Sequence, residues 1–199
     1  KGCLLAKSLN VSDGNNKNLI NMKTSGIDKY STFGLRERWL SQYFQNMENF
    51  FEVGNNDLGS KMVPALTHWL RDAELLNRKD KNSSEFAYVL RDIYNHKPNT
   101  AWEIIWINLT YNSIITNWYV TSTNFNIPYS KNELLAMLQN EFPNYGSGTL
   151  KNPLGALLNT FDLSALGNDI EITQLIKKGN AIETIIRKPF EMSDPISIA

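Results

Sequence analysis

The side chains with the clearest chemistry in this 199-residue chain are basic ones that could bind the phosphates of a nucleic acid. In the first half of the chain these are Lys61, His68, Arg71, Arg78, Lys79 and Lys81. In the second half they are Lys151, Lys177, Lys178, Arg187 and Lys188. Each set combines a predicted helix with a polar turn that follows it. This pattern is typical of a helix that enters the major groove beside a loop that contacts phosphates.

Neighbouring acidic residues weaken the first set. Asp72, Glu74 and Asp80 lie among its basic residues, so we expect them to cancel much of the local field. The chain has 20 Lys and Arg against 20 Asp and Glu, which gives no net charge. Any attraction for DNA must therefore come from a local patch. In the second set, Lys177 and Lys178 at a predicted hairpin tip form the most concentrated basic feature.

No motif for catalysis or cofactor binding occurs in the sequence. Gly146, Ser147 and Gly148 lack the lysine that would follow in a phosphate-binding P-loop. Cys3 has no histidine near it, and one cysteine with two histidines is too few for a usual structural zinc site. We therefore expect no metal, no cofactor and no enzymatic activity. An active site completed by a second chain or by missing ends stays open as a weaker alternative.

The element that would position the first basic set is a central amphipathic helix from Asn56 to Leu76. Pro64 must lie in its first turn, so the helix is expected to start close to Ser60. The predicted buried stripe has helical spacing and consists of Met62, Leu66, Trp69, Leu70, Ala73 and Leu76. The predicted outward face consists of Lys61, Ala65, His68 and Asp72, with Thr67 and Arg71 at its shoulder.

Three segments precede this helix. Leu4 to Val11 and Asn15 to Met22 predict two short helices. The run from Leu5 to Ser12 resembles the first half of a helix-turn-helix, and simple packing of a helical hairpin is the alternative. Thr24 to Thr32 is polar and predicts a linker. The next helix, from Leu35, has a predicted buried side of Leu35, Trp39, Leu40, Tyr43, Phe44 and Met47. Its predicted solvent side consists of Arg36, Glu37, Arg38 and Gln42.

Two capping boxes mark predicted helix starts after the basic loop. A short helix comes first, with Phe86, Val89, Leu90, Ile93 and Tyr94 as its apolar positions. Thr100 with Glu103 then predicts the start of an interior helix that is apolar on both faces, with Tyr111 and Ile115 on one of them. Ser130 with Glu133 predicts a helix from Glu133 to Phe142.

The second basic set is expected on the last elements of the chain. Thr149 is the predicted cap of a helix that buries Leu150, Leu154, Leu157, Leu158 and Phe161 and turns Lys151, Asn152 and Asn159 outward. Two β-branched runs, Ile170 to Ile176 and Ala181 to Arg187, flank Lys178, Gly179 and Asn180 and predict a β-hairpin. Helix, loop, helix and hairpin follow one another in the order of a winged helix.

These elements predict a mainly α fold, with tandem winged-helix-like (helix-turn-helix) lobes around a central buried helix and a small C-terminal β-hairpin. The expected boundaries are a lobe at 1–98, the central helix and a connection at 99–128, and a second lobe at 129–199. A single compact domain is the alternative. Both ends look truncated. The run from Ala101 to Val120 is too polar to span a membrane, and the single cysteine favours a cytoplasmic location.

Two sequence motifs resemble a known family. Ser31–Leu40 (STFGLRERWL) and Asp57–Val63 (DLGSKMV), the latter followed by Trp69 with Leu70 and by Leu75 with Leu76, resemble the best-marked motifs of the bacterial family DUF4007. The closing Ser193, Asp194 and Pro195 resemble another segment of it. The sequence differs from the family pattern at Tyr30, at Glu37 with Arg38, and at Pro64.

The resemblance implies a biological context. Family members occur near genes for sulfurtransferase-like relatives of phosphoadenosine-phosphosulfate reductase, in clusters linked to DNA phosphorothioation and phage defence. We therefore expect a non-catalytic accessory that binds or positions double-stranded DNA in a DNA modification or phage-defence system. The alternative is a scaffold that docks a sulfurtransferase-like or nuclease partner. An exposed aromatic patch of Tyr43, Tyr88 or Trp118 would favour this alternative.

Overall fold

The computed structural model describes residues 26–189. The helices predicted at Leu4 to Val11 and Asn15 to Met22 lie outside the described residues, as does the Ser193 to Pro195 segment. Within the described range the elements are α1 (Glu37–Gln45), α2 (Met62–Asp72), α3 (Glu85–His96), α4 (Pro98–Asn112), α5 (Ile114–Ser122), β1 (Pro128–Ser130), α6 (Lys131–Glu141), α7 (Ser147–Asp162), α8 (Ala165–Asn168), β2 (Thr173–Lys178) and β3 (Ala181–Arg187). The prediction of a mainly helical protein is confirmed.

Helix α4 packs against α2, α3, α5 and α8 and carries Trp102, one of the largest fully buried side chains. Trp102, Ile105 and Leu109 are each fully buried. The capping box predicted at Thr100 is wrong, because α4 begins two residues earlier at Pro98. Proline suits a first helical position, where its missing N–H would have no partner in the helix. Thr100 is therefore inside the helix and buried.

The interior helix predicted from Thr100 onward is interrupted. Ser113 has extended backbone angles, φ −103° and ψ 121°, and separates α4 from α5. Tyr111, predicted on an interior face, is 74% exposed because it lies in the last turn of α4 beside this break. Ile115, one turn further on, is fully buried. The break therefore divides the predicted helix into two helices that both bury residues in the core.

The predicted buried stripes of α1 and α2 are largely confirmed. All six residues predicted for the first helix are buried, and so are Leu66, Trp69, Leu70, Ala73 and Leu76. Two predicted positions are wrong: Ala65 is 1% exposed although it was placed on the outward face, and Glu37 turns inward. The carboxylate of Glu37 accepts hydrogen bonds from Trp102 Nε1 and the Tyr94 hydroxyl.

Helix α2 ends before the predicted Leu76. The N–H of Leu75 donates to the carbonyl oxygen of Leu70 at 2.7 Å, and the N–H of Glu74 donates to that of Arg71 at 3.0 Å. With Glu74 at φ 63°, these bonds form a Schellman motif, which stops a helix by reversing the chain. Glutamate is an unusual residue for this left-handed position, which explains why the stop was missed.

The linker predicted at Thr24 to Thr32 is wrong over the residues that the structure describes. Ile27 and Tyr30 are each 1% exposed. The ring of Tyr30 stacks on Trp69 with centroids 3.6 Å apart. Trp69 Nε1 also donates to the carbonyl oxygen of Phe33 at 2.8 Å. The segment is part of the core, because its few large side chains cover α2.

The C-terminal elements contain one strand that was not predicted. The hairpin of β2 and β3 is confirmed, with Gly179 at φ 60° in its two-residue turn. Strand β1 pairs antiparallel with β3, from Pro128 opposite Ile186 to Ser130 opposite Thr184, so the strand order is β1-β3-β2. The capping box at Ser130 is confirmed at the start of α6.

Helix α7 begins at Ser147, two residues before the predicted cap at Thr149, with Gly146 as its N-cap. Its predicted inward residues, Leu150, Leu154, Leu157, Leu158 and Phe161, are all buried. They join a continuous hydrophobic cluster that runs from Ile27 to Ile185. No helix in residues 26–189 is long and apolar enough to cross a membrane.

Candidate nucleic-acid interface

The first basic set lies on α2 and on the turn that follows it. Lys61 is exposed immediately before the helix, and His68 is half-buried in its middle. Burial lowers the pKa of His68, and the nearby ammonium of Lys29 lowers it further. His68 therefore favours its neutral form, so near neutral pH it acts as a hydrogen-bonding group rather than as a cation.

Asp72 does not offset Arg71 as the sequence suggested. Its carboxylate lies 2.6 Å from Lys29 Nζ and accepts a hydrogen bond from the Tyr30 hydroxyl. The carboxylate of Glu74 accepts from Asn112 Nδ2 at 3.2 Å. Lys29 thus neutralises Asp72, and the local field of the first set is less weakened than its composition implies.

The basic turn at residues 75–84 has a defined shape. Leu76 and Ser83 form an isolated antiparallel bridge, and the N–H of Asn77 donates to the carbonyl oxygen of Asn82 at 3.0 Å. Arg71 Nη2 donates to the carbonyl oxygen of Asp80 at 3.0 Å. Arg71 therefore shapes the turn.

The other basic side chains of this turn are exposed. Arg78 and Lys79 lie at its tip, and Lys81 Nζ is 5.3 Å from the ring centroid of Phe51. The structure therefore brings Arg78, Lys79 and Lys81 together on one small loop, next to Arg71. Lys61 lies just before the N-terminus of α2, at the other end of the helix from this loop.

The hairpin of the second set presents fewer free cations than expected. Lys177 forms an ion pair with Asp162 at the end of α7, and both side chains are partly exposed. Lys178 Nζ lies 4.0 Å from Glu183 Oε1, with 83% of its side chain exposed. Such an exposed pair is weak, so Lys178 remains able to reach a phosphate.

Arg187 has a structural role. Its Nη1 donates to the carbonyl oxygens of Val120 and Thr123, the second at 2.9 Å, and its guanidinium lies 4.2 Å from the ring centroid of Phe125. Burial lowers its pKa. Lys188 is half-buried, and its N–H donates to the carbonyl oxygen of Ile172 at 3.0 Å. Arg187 thus ties the end of β3 to the end of α5 and the connection after it, and Lys188 ties it to the residue before β2.

The outward stripe of α7 contains two glycines that the sequence did not mark as part of a binding surface. Lys151 is exposed, and Asn152 is half-buried beside it. Gly148 and Gly155 flank them, one helical turn away on either side. A Cβ atom at either glycine would have nothing within 4 Å. Internal packing therefore does not require these glycines, and the signal was visible in the sequence as two glycines at helical spacing around a lysine.

The C-terminal part of α7, from Asn159 onward, is covered by residues 32–37. Asn159, predicted to point outward, donates through Nδ2 to the carbonyl oxygen of Thr32 at 2.9 Å. The N–H of Leu35 donates to Thr160 Oγ1 at 3.0 Å, and the N–H of Glu37 donates to the carbonyl oxygen of Leu163 at 2.9 Å. Along this stripe the helix is therefore accessible only before Asn159, which includes Lys151 and Gly155.

The aromatic anchors that would favour a scaffold are mostly internal. Tyr43 is fully buried and Trp118 is 3% exposed, whereas Tyr88 is 37% exposed. Across residues 26–189, no group of three or more His, Cys, Asp and Glu side chains is placed to hold a metal ion.

These features define a mainly helical protein with a small antiparallel sheet and exposed basic side chains on two helix-and-turn units. Residues 28–162 match the family described as a protein of unknown function, DUF4007. Because the match covers more than half of the 199 residues, the chain belongs to this family, and the resemblance seen in the motifs is confirmed. No curated protein and no solved structure matches the chain.

Proposed function

We propose that this protein is a non-catalytic accessory that binds or positions duplex DNA, with the C-terminal unit as its main contact. The observation that carries the proposal is the order of elements β1, α6, α7, α8, β2 and β3 with strand order β1-β3-β2. Apart from the short helix α8, this order is similar to the connectivity of a winged helix, in which the second helix of the unit enters the major groove and the hairpin follows the backbone. Helix α7 then takes the role of the recognition helix.

The accessible part of α7 supports its role as the recognition helix. Lys151 lies on the exposed stripe, and the glycines on either side leave room for a DNA backbone to approach the helix closely. Lys178 at the hairpin tip is exposed and lies on the element that a winged helix lays along the phosphates. The covered C-terminal part of α7 limits the contact to the stripe from Gly148 to Gly155.

The first basic set supplies a second contact in this proposal. Lys61 precedes α2, and Arg78, Lys79 and Lys81 project from the turn after it. Lysine and arginine side chains of this kind add affinity through phosphates without reading sequence. His68 and Arg71, which lie between them, would orient α2 rather than neutralise phosphates.

The family gives the proposal its context. As a DUF4007 member, the protein would act in DNA modification of the phosphorothioation type or in phage defence, in the neighbourhood that the resemblance implies. The scaffold alternative is less well supported, because two of the three aromatic anchors that it needs are buried.

Fluorescence anisotropy of a labelled duplex over a range of salt concentrations tests the proposal. Wild-type binding should weaken steeply with salt, and Lys151→Gln should reduce the log–log salt slope by about 0.9, because one phosphate is no longer neutralised. Arg38→Gln is the matched control, because Arg38 is exposed, pairs with Asp57 and belongs to neither basic set. Its slope should equal that of the wild type.

Two results would count against this assignment. Absent or salt-insensitive binding to duplex DNA would overturn the function. A slope reduced by Lys79→Gln but unchanged by Lys151→Gln would instead place the main contact on the first unit.

A further inference from the structure

The outward face of α3 carries an unusual mixture of apolar and charged side chains. Its exposed residues have helical spacing and consist of Glu85, Tyr88, Val89, Asp92, Asn95 and His96. Val89 is 58% exposed and Tyr88 is 37% exposed, so two large apolar side chains lie side by side on a solvent-facing helix. None of the basic residues assigned to DNA contact lies on this face.

A hollow adjoins these apolar side chains. It has a volume of about 450 Å³ and is lined by Val89, Asp92, Ile93, His96 and Lys97. Val89 and Ile93, one helical turn apart on α3, are its apolar lining residues. One helix therefore presents both a projecting apolar side chain and a recess next to it.

Such a face is complementary to itself. When two copies of a helix pair antiparallel about a twofold axis, each residue near one end meets a residue near the other end of the second copy. For α3 this arrangement places Val89 against the Asp92 and Ile93 side of the second copy's hollow. It also places Glu85, in the first turn, opposite His96 in the last turn.

The charges along α3 suit this pairing. The acidic residue of the first turn is Glu85, whereas the last turn carries His96 and is followed by Lys97, so antiparallel pairing brings the acidic end of each copy to the basic end of the other. Asp92 lies 3.6 Å from Arg91 Nε, which offsets its charge in the middle of the face. The guanidinium of Arg91 also lies 5.5 Å from the ring centroid of Tyr88 and holds that ring.

We propose that the occupant of this face is a second copy of the same chain, docked antiparallel on α3 to form a twofold-symmetric dimer. Both members of each complementary pair lie on one helix, which is the condition for contact between identical chains. This inference goes beyond the proposed function. A contact centred on one helix of 12 residues buries little area, so the dimer is weak and depends on concentration.

Sedimentation velocity of the wild-type chain over about a hundred-fold range of concentration tests the proposal. The sedimentation coefficient should rise with concentration from the monomer value toward the dimer value. Val89→Asp should remain monomeric throughout, because it puts a charge into the apolar recess. Tyr111→Asp is the matched control, because Tyr111 is 74% exposed on a different helix, and it should dimerise like the wild type.

A charge exchange tests the antiparallel geometry. Glu85→Lys should weaken self-association because it places a lysine at the basic end of the other copy, and His96→Glu should weaken it because it places a glutamate opposite Glu85. An equimolar mixture of the two variants should dimerise again. The lysine introduced in one variant then faces the glutamate introduced in the other, and the native pair remains at the opposite end. Far-UV circular dichroism confirms that each variant is folded.

Three results would overturn parts of this proposal. A wild type that stays monomeric at every concentration overturns the dimer, as does a Val89→Asp variant that associates as strongly as the wild type. Variants that fail to recover on mixing overturn the antiparallel pairing. The anisotropy titration of duplex DNA is a separate measurement, so loss of DNA binding and loss of dimerisation remain distinguishable.

Discussion

Gly34 lies directly against the main chain of α7, and a side chain at this position would not fit. A Cβ atom at this position would lie 2.3 Å from the main-chain nitrogen of Thr160 and 2.6 Å from the carbonyl oxygen of Ala156. Backbone atoms of a helix cannot move aside as the end of a flexible side chain can. Glycine at position 34 therefore allows residues 32–37 to pack closely against the C-terminal part of α7.

Replacing Gly34 with alanine should destabilise the protein by roughly 1–3 kcal/mol or more, because the added methyl group must push two packed backbones apart. Urea unfolding followed by circular dichroism measures the change. Gly148→Ala is the control, since its Cβ would meet nothing within 4 Å, and its effect should be small. Equal stability of the Gly34→Ala variant and the wild type would contradict the close packing.

The partners of Asp72 could not be predicted from the sequence. Its position among basic residues indicated that it would weaken a phosphate-binding face. Its partners, Lys29 and Tyr30, lie 43 and 42 residues away along the chain. Helical spacing compares residues three or four positions apart, so it could not have revealed a pairing at that distance.

At the scale of elements, α7 combines a confirmed buried stripe with an exposed stripe that costs helix stability. Gly155 lies in the interior of the helix, where glycine is less favourable than alanine by about 1 kcal/mol. Nothing within 4 Å would obstruct a Cβ atom there. Packing within residues 26–189 therefore does not offset the lower helix stability caused by Gly155. A glycine here is consistent with a binding partner that approaches the helix backbone closely.

Gly155→Ala should therefore stabilise the protein by roughly 0.5–1 kcal/mol while weakening its affinity for duplex DNA. The first effect follows from helix propensity, and the second from a methyl group placed between α7 and the DNA backbone. Urea unfolding and anisotropy measure the two effects on the same preparation. A stabilised variant that binds duplex DNA as well as the wild type would remove this stripe from the interface.

At the scale of the whole molecule, four tyrosines support the core through hydroxyls that ionise with difficulty. Burial is the largest cause in each case and raises the pKa of Tyr30, Tyr43, Tyr94 and Tyr119 above the usual 10.0. For Tyr43 and Tyr119 it raises the pKa to about 12. Asp72 beside Tyr30 and Glu37 beside Tyr94 raise the pKa of those hydroxyls further.

These shifts predict cooperative unfolding at alkaline pH. A tyrosine whose pKa is higher in the folded chain contributes stability that is complete below pH 10 and is lost as pH rises through the folded pKa. Between pH 10 and about 12, Tyr43 and Tyr119 should each lower the free energy of unfolding by about 1.4 kcal/mol per pH unit. Tyrosinate absorbance and far-UV circular dichroism should change together.

The Tyr119→Phe variant provides the control for this prediction. It should lose stability less steeply with rising pH, because one of the shifted hydroxyls is gone. Independent titration of all eight tyrosines near pH 10, with the helices intact, would contradict the prediction.

Much of the local structure follows from the sequence alone. The buried stripes of α1, α2 and α7, the capping box at Ser130 and the hairpin around Gly179 depend on residues within a few positions of one another. Helical and strand periodicity report such neighbours directly. The family was also recognisable, because its motifs are contiguous in the chain.

The tertiary structure alone decided which basic side chains remain available and which faces are covered. Arg187 was predicted to contact phosphate, but its guanidinium is held by carbonyl oxygens 64 and 67 residues away. Asn159 was predicted to face solvent, but it binds Thr32, 127 residues away. Residue spacing shows which side of an element is apolar. Only packing between distant segments determines which polar side chains are left exposed, because those contacts depend on how the whole chain closes around its core.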